Sequence, residues 1–220
     1  MTGSLKKKLT KLAEKHQVKG DPSHDFHHIL RVLNLAVQIA KRERADMDVV
    51  IPAALFHDVV VYRKDTKKSK MESDESAQIA GKILDDITSY PKQKIDKVLT
   101  CIRQCSFSKG ITPSLLEAKI LQDADRLEAT GAISIMRTFS SGGQMKRPFY
   151  DPHDPFRTKS VSEKFGPSLD LFYQRLLRVE KTMHTNWAKK IARRRTRFLK
   201  TFLSELKTEL SESAVIKRSN

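Results

Sequence analysis

Apolar residues recur at three- and four-residue spacings along most of this 220-residue chain. No stretch alternates apolar with polar at the two-residue period of a half-buried strand. That pattern predicts an all-α fold, helices packed around one core. In 27–44, Ile29, Val32, Leu33, Ala36, Val37 and Ala40 trace one face, while Arg31, Gln38 and Lys41 fall elsewhere. Residues 52–62 are short and nearly all apolar, with Pro52 suited to a first helical turn, which places them at the centre of the bundle. Ala77, Ala80, Ile83 and Leu84 give 74–87 an apolar stripe, and Ser89-Tyr90-Pro91 breaks the chain before a helix over 92–105. Pro113 opens the next segment. Leu115–Phe139 keeps a helical period that Gly131 weakens near its middle.

The same reading divides the chain into an N-terminal basic helix (1–19), a central helical core (20–139), an irregular segment (140–168), C-terminal helices of the same domain (169–182 and 186–210) and a polar tail (211–220) that is expected to fray. The irregular segment carries Ser140-Ser141-Gly142-Gly143, Arg147-Pro148, Asp151-Pro152, Asp154-Pro155 and Gly166-Pro167. Loops of such length usually serve a function, so it is read as a flap over the site. Cys101 and Cys105, the only cysteines, are spaced for one side of a helix, which suits reduced thiols better than a disulfide framework. No run reaches the roughly 20 apolar residues of a membrane span, and the first residues lack the apolar stretch of a secretory signal. A cytoplasmic protein without a membrane partner is therefore expected. Its formal charge of +16 attracts polyanions without choosing among them, and 181–220 contributes +8 of it from 11 Lys/Arg against 3 Asp/Glu.

Polar residues that interrupt the apolar pattern mark where chemistry sits. His24-Asp25-Phe26-His27-His28 gathers three imidazoles and a carboxylate at a helix start, with His24 and His28 on one face and His27 off it. His57 and Asp58 stand side by side within Ala53-Ala54-Leu55-Phe56-His57-Asp58-Val59-Val60-Val61. Burying that pair costs several kcal/mol unless the groups are paired or hold a cation, so a metal ion would satisfy both. Asp123 and Asp125 flank the stripe of Ile120, Leu121, Ala124 and Leu127 on opposite edges, and the helical period does not choose between them. Two His with two Asp form a mixed nitrogen and oxygen set suited to Mn²⁺, Fe²⁺, Co²⁺, Ni²⁺ or Zn²⁺, with Mg²⁺ a further alternative.

The order His…His-Asp…Asp resembles the signature of the HD superfamily of metal-dependent phosphohydrolases. The likeness extends through His24-Asp25-x-x-His28-x-x-Arg31-Val32, Ala53-Ala54-Leu55-Phe56-His57-Asp58, Glu75-Ser76-Ala77, Glu117–Leu127, Gly131-Ala132-Ile133, Arg137-Thr138-Phe139, Tyr150–Phe156 and His184–Lys189, which resemble the small YedJ-like HD proteins. It implies a metal centre of His28, His57, Asp58 and a later Asp. The step Asp125-Arg126-Leu127 is similar to one in stringent-response nucleotide hydrolases, which assigns that ligand to Asp125. One divalent ion, Mn²⁺ by preference, is expected, because Val59-Val60-Val61-Tyr62 supplies no His for a second, and Glu72, Asp74 and Glu75 are the nearby acids.

Asp25, His24 and Glu75 lie near the metal motifs in sequence and are the candidates for proton transfer. Arg31, Arg126, Lys119, Lys146 and Arg147 are the candidates for holding substrate phosphates. Trp187, Phe149, Tyr150 and Phe156 are considered for stacking on a base. The expected reaction is cleavage of a (deoxy)nucleoside triphosphate to monophosphate and pyrophosphate. The alternatives are a 5′-nucleotidase and, from another class, nucleic-acid binding through Lys189, Lys190, Arg193, Arg194, Arg195, Arg197 and Lys200.

Overall fold

The structure, a computed structural model, describes residues 1–17, 25–62, 66–106, 109–156 and 166–213. Among these residues every regular element is helical, as the spacing predicts. The α-helices are α1 (Gly3–His16), α2 (Phe26–Glu43), α3 (Met47–Phe56), α4 (Glu72–Asp85), α5 (Ile95–Arg103), α6 (Leu116–Leu127), α7 (Ala132–Gln144), α8 (Asp170–Gln174) and α9 (Asn186–Ser213). None of the described helices is long and apolar enough to cross a membrane.

The contacts divide the chain into two compact units, Met1–Glu128 with Met183–Lys189, and Ala129–Thr182 with Lys190–Asn220. In the first unit α3 is the central element, touching α1, α2, α4, α5 and α6. Every residue from Val49 to Phe56 is buried, which explains why its sequence shows no polar face. Helix α2 buries Ile29, Val32, Leu33, Ala36, Ile39 and Ala40 against it, with Val37 left half-buried at the edge of the stripe. Each fully buried Val, Leu or Ile side chain among these contributes about 1.5–3 kcal/mol.

Pro52 lies inside α3 and not in its first turn. The helix begins earlier, at Met47, where the Asp46 carboxylate accepts the Asp48 N–H at 2.9 Å. A proline at this depth has no N–H for the carbonyl four residues back, that of Asp48. The Tyr90 hydroxyl takes over, donating to the Asp48 carbonyl at 2.7 Å. The break expected at Ser89-Tyr90-Pro91 thus places a donor that lets α3 run through its proline. With α3 ending at Phe56, His57 and Asp58 fall at its C-terminal end.

The long helical period over 115–139 resolves into α6 and α7, and Gly131 is the reason. Its φ of 87° lies in the left-handed region, and a Cβ there would sit 3.0 Å from the Arg195 side chain. Helix α7 continues to Gln144, so the irregular stretch starts later than the Ser-Gly pairs suggest. Residues 157–165 of the expected flap lie outside the described residues, as do 214–220 of the expected tail. In the second unit Leu169, Phe172, Leu176, Leu199 and Leu203 form a core, with Phe139, Tyr150 and Phe156 packed against it. The helix expected over 169–182 is the short α8 followed by a 3₁₀ segment, Leu176–Thr182.

Candidate metal centre

Three helix ends of the first unit bring the polar motifs together. Asp25 caps α2, its Oδ1 accepting the His28 N–H at 2.8 Å, so that His28, the third helical residue, points inward and is fully buried. His27, one position earlier, is exposed. His57 closes α3, and its Nδ1 lies 2.8 Å from the Ala54 carbonyl. A carbonyl only accepts, so Nδ1 carries a proton, and in the neutral ring Nε2 offers its lone pair. That buried Nε2 has no hydrogen-bond partner among the described residues.

Both carboxylates face this lone pair. Asp125, near the end of α6, has Oδ1 3.7 Å from His28 Nε2 and 4.0 Å from His57 Nε2. Asp58 Oδ2 lies 3.5 and 3.7 Å from the same two nitrogens. Donor atoms of His28, His57 and Asp125 all fall within 4.8 Å of one another. Such separations are long for hydrogen bonds but match the spacing of about 3–4 Å between neighbouring donors that each sit about 2.1 Å from one ion. Without a cation or proton between them, lone pairs and carboxylates facing each other at a buried site repel. The donor set therefore fits a divalent metal ion. The imidazoles are the buried side, whereas Asp58 and Asp125 keep 25% and 20% of their side chains exposed, so the centre opens to solvent along its carboxylates.

Glu128, which the sequence reading passed over, stands behind His28. It is 1% exposed, with Oε2 accepting from Arg31 Nε at 2.7 Å and lying 3.5 Å from His28 Nδ1. Burial alone would raise its pKa, but the hydrogen bonds from His28 and Arg31 outweigh that and hold it below the ordinary range. Its signal in the sequence is a position one helical turn after Asp125. Arg31, expected to hold substrate phosphate, is thus anchored by Nε on Glu128, with its side chain 35% exposed.

Asp123 and Asp125 separate cleanly. Asp123 is fully buried and accepts from His184 N–H, Thr185 N–H and the Thr185 hydroxyl at 2.7–2.8 Å, so it anchors the start of α9. Beside it His184 Nε2 lies 2.9 Å from Gln122 Oε1 and 3.4 Å from an Arg126 nitrogen. Burial, aided by Arg126, Lys119 and Lys189, lowers the His184 pKa against the pull of Asp123. Arg126 itself is 7% exposed, and Lys119 is half-buried.

The remaining candidates are placed as follows. Asp25 is the α2 cap. Glu75 accepts from the Tyr62 hydroxyl at 2.7 Å, Glu72 accepts the Tyr62 N–H at 2.7 Å, and Asp74 pairs with Lys109 at 2.8 Å. His24 lies outside the described residues. Lys146 and Arg147 follow α7 in the second unit, Lys146 with a left-handed φ of 55°. Of the aromatic candidates, Trp187 carries the Arg42 guanidinium 4.3 Å over its ring, Tyr150 and Phe156 pack on the second core, and Phe149 stays exposed beside Phe139.

A family model for the HD domain matches residues 25–130, the span that holds every residue of this cluster. The Bacillus subtilis protein YpgQ is 29% identical over 194 residues, 85% of this chain and 84% of its own. A crystal structure of YpgQ in complex with ADP is similar at a TM-score of 0.69 and 26% identity, covering 94% of this chain and 95% of that one. An HD-superfamily hydrolase from Bacillus thuringiensis is similar at a TM-score of 0.69 and 29% identity, with 94% and 97% covered.

Proposed function

We propose that the chain is a hydrolase of the HD superfamily, a reading supported by the HD-domain match over residues 25–130, and that it cleaves a (deoxy)nucleoside triphosphate to the monophosphate and pyrophosphate with one divalent ion, Mn²⁺ by preference. The observation that carries this is the convergence of His28, His57 and Asp125 within 4.8 Å around a buried, unpartnered imidazole nitrogen. His28, His57, Asp58 and Asp125 are the ligands in this reading. A bound ion would supply Lewis acidity toward a phosphoryl oxygen and lower the pKa of a coordinated water. The protein's own part is to present two neutral imidazoles from the buried side and leave the carboxylate side open. The Arg31 guanidinium, held by one nitrogen on Glu128, directs its other nitrogens toward phosphate oxygens. The nucleotide class is supported by the ADP complex of YpgQ and by the surplus of positive charge.

The test is incubation of purified protein with Mn²⁺ and a panel of nucleoside mono-, di- and triphosphates, with products resolved by chromatography. Monophosphate plus pyrophosphate from a triphosphate is the expected result. Hydrolysis of monophosphates alone would make it a 5′-nucleotidase, and no cleavage with any common divalent ion would overturn the enzymatic reading.

A second reading rests on α9. Lys190, Arg194, Arg197 and Phe198 fall at positions that share one face, and Phe198 is 49% exposed beside exposed cations. Cations interleaved with an open aromatic ring suit a single-stranded nucleic acid. Binding to a labelled oligonucleotide should fall steeply with salt and vanish in Arg194→Glu/Arg197→Glu with nucleotide hydrolysis intact. Salt-insensitive or absent binding disposes of it.

A further inference from the structure

The two imidazoles of the cluster face it in the same way and are held from behind by different means. Each has Nε2 toward Asp58 and Asp125. A neutral imidazole has one N–H and one lone pair, so whatever accepts at Nδ1 decides that Nε2 is the donor to the site. For His57 the acceptor is the Ala54 carbonyl, a backbone group that no side-chain replacement removes. For His28 the group behind Nδ1 is the Glu128 carboxylate at 3.5 Å, and the oxygen concerned is the one that Arg31 Nε holds at 2.7 Å. A carboxylate buried to 1% exposure costs several kcal/mol unless paired, and here Arg31 supplies the pairing at that same oxygen.

We propose that Glu128 is the positioning residue of the metal centre: its carboxylate, braced by Arg31, fixes His28 as the Nδ1–H tautomer and turns Nε2 into the space shared with His57 and Asp125. This rests on reading the cluster as a metal centre. The general chemistry is that of a histidine ligand whose second nitrogen is held by an outer carboxylate, which sets ring orientation and raises ligand basicity. A plain structural ion pair between Glu128 and Arg31 would stabilise the fold and leave affinity for the ion untouched.

Two replacements separate charge from orientation. Glu128→Gln keeps an acceptor oxygen of the same reach and loses the charge, whereas Glu128→Ala loses both. Metal-free wild type and both variants, checked for native circular dichroism, are titrated with Mn²⁺ by calorimetry. Ring-nitrogen NMR of the same metal-free samples reports the His28 tautomer, a readout that requires no ion. Affinity is expected to fall about tenfold in Glu128→Gln and further, up to about 100-fold, in Glu128→Ala, with the His28 tautomer mixed in the alanine variant. Wild-type affinity and an unchanged tautomer in both variants would overturn the positioning role while leaving the metal centre standing. Should Glu128→Ala fail to fold, the glutamine variant and its tautomer carry the same decision. If wild type itself binds no divalent ion, the metal-centre reading falls and takes the positioning role with it.

Discussion

Exchanging Asp123 and Asp125 for Asn, one at a time, should produce opposite phenotypes. Asp123 is wholly buried and its two oxygens take three hydrogen bonds, from His184 N–H and Thr185 N–H at 2.8 Å and from the Thr185 hydroxyl at 2.7 Å. Asn places an NH₂ where one oxygen stood, so whichever way the amide turns, one backbone N–H is left facing a donor. A hydrogen bond to a charged group contributes about 1.5–3 kcal/mol, and an unsatisfied buried donor costs about 1–3 kcal/mol, which predicts a loss of about 2–4 kcal/mol. In a domain with about 5–15 kcal/mol in total that is a large fraction, and at about 2–4 °C per kcal/mol it lowers melting by about 5–15 °C. Asp125→Asn removes a partly exposed charge that faces two lone pairs, so stability should stay within about 0.5 kcal/mol while Mn²⁺ binding is lost. Urea and thermal unfolding of the metal-free proteins, with calorimetric Mn²⁺ titration in the cold where both variants are folded, reads both effects. An Asp123→Asn protein of wild-type stability that no longer binds the ion, beside an Asp125→Asn protein that does, would refute the assignment.

Three other consequences follow from groups around α3 and α6. Tyr90→Phe strips the donor from the Asp48 carbonyl that Pro52 cannot serve, and urea denaturation should show about 1–2 kcal/mol lost; no change would mean that solvent already satisfies that carbonyl. The depressed pKa of Glu128 means that its contribution is fully present above the ordinary carboxylate range of about 4.3 and is lost as pH falls through the lower folded value. The stability gap between metal-free wild type and Glu128→Gln should therefore narrow as pH falls below the ordinary carboxylate range, and a gap independent of pH would contradict the pairing. Burial pushes the Cys101 thiol up to about 12 and that of Cys105 well above its usual value, so a thiol reagent at about pH 8 should label the denatured protein rapidly and the native one slowly; equal rates would show the thiols to be accessible.

Helical character was legible because burial of one face imposes a period on neighbouring residues, as Ile29, Val32, Leu33, Ala36 and Ala40 on α2 illustrate. What the sequence misplaced depends on contacts far along the chain. Pro52 reads locally as a helix start, and only the hydroxyl of Tyr90, packed against Asp48, allows it an interior position. Gly131 reads as a weak point in one helix, while its left-handed φ and its closeness to Arg195 make it the boundary between two. For the site, the cost of burying His57 beside Asp58 was visible in nine letters of sequence. The roles of Asp123 and Glu128 were not, since their partners are His184 and Thr185 in one case and His28 in the other.

Those roles converge on α6 and its C-terminal cap, where three acids within six residues face two sides of the helix. Residues two apart on an α-helix differ by about 200°, so Asp123 and Asp125 point to opposite sides, whereas residues three apart lie within about 60° of each other, so Asp125 and Glu128 can meet the same imidazole. Asp123 turns to the 184–185 segment, Asp125 to the two imidazoles, and Glu128, nearly a full turn beyond Asp125, reaches behind the ring that Asp125 faces from the front. His28 is thereby gripped from both sides by one helix. The angular register of α6 against α2 is accordingly what the centre depends on, and Gly131 ends the run three residues after Glu128, where the backbone turns into the left-handed region. Conserving the volume of each acid while shifting the register by a single residue would rotate all three by about 100° and separate every one from its partner. The chemistry of this centre is therefore set as much by where α6 begins and ends as by which four residues could touch an ion.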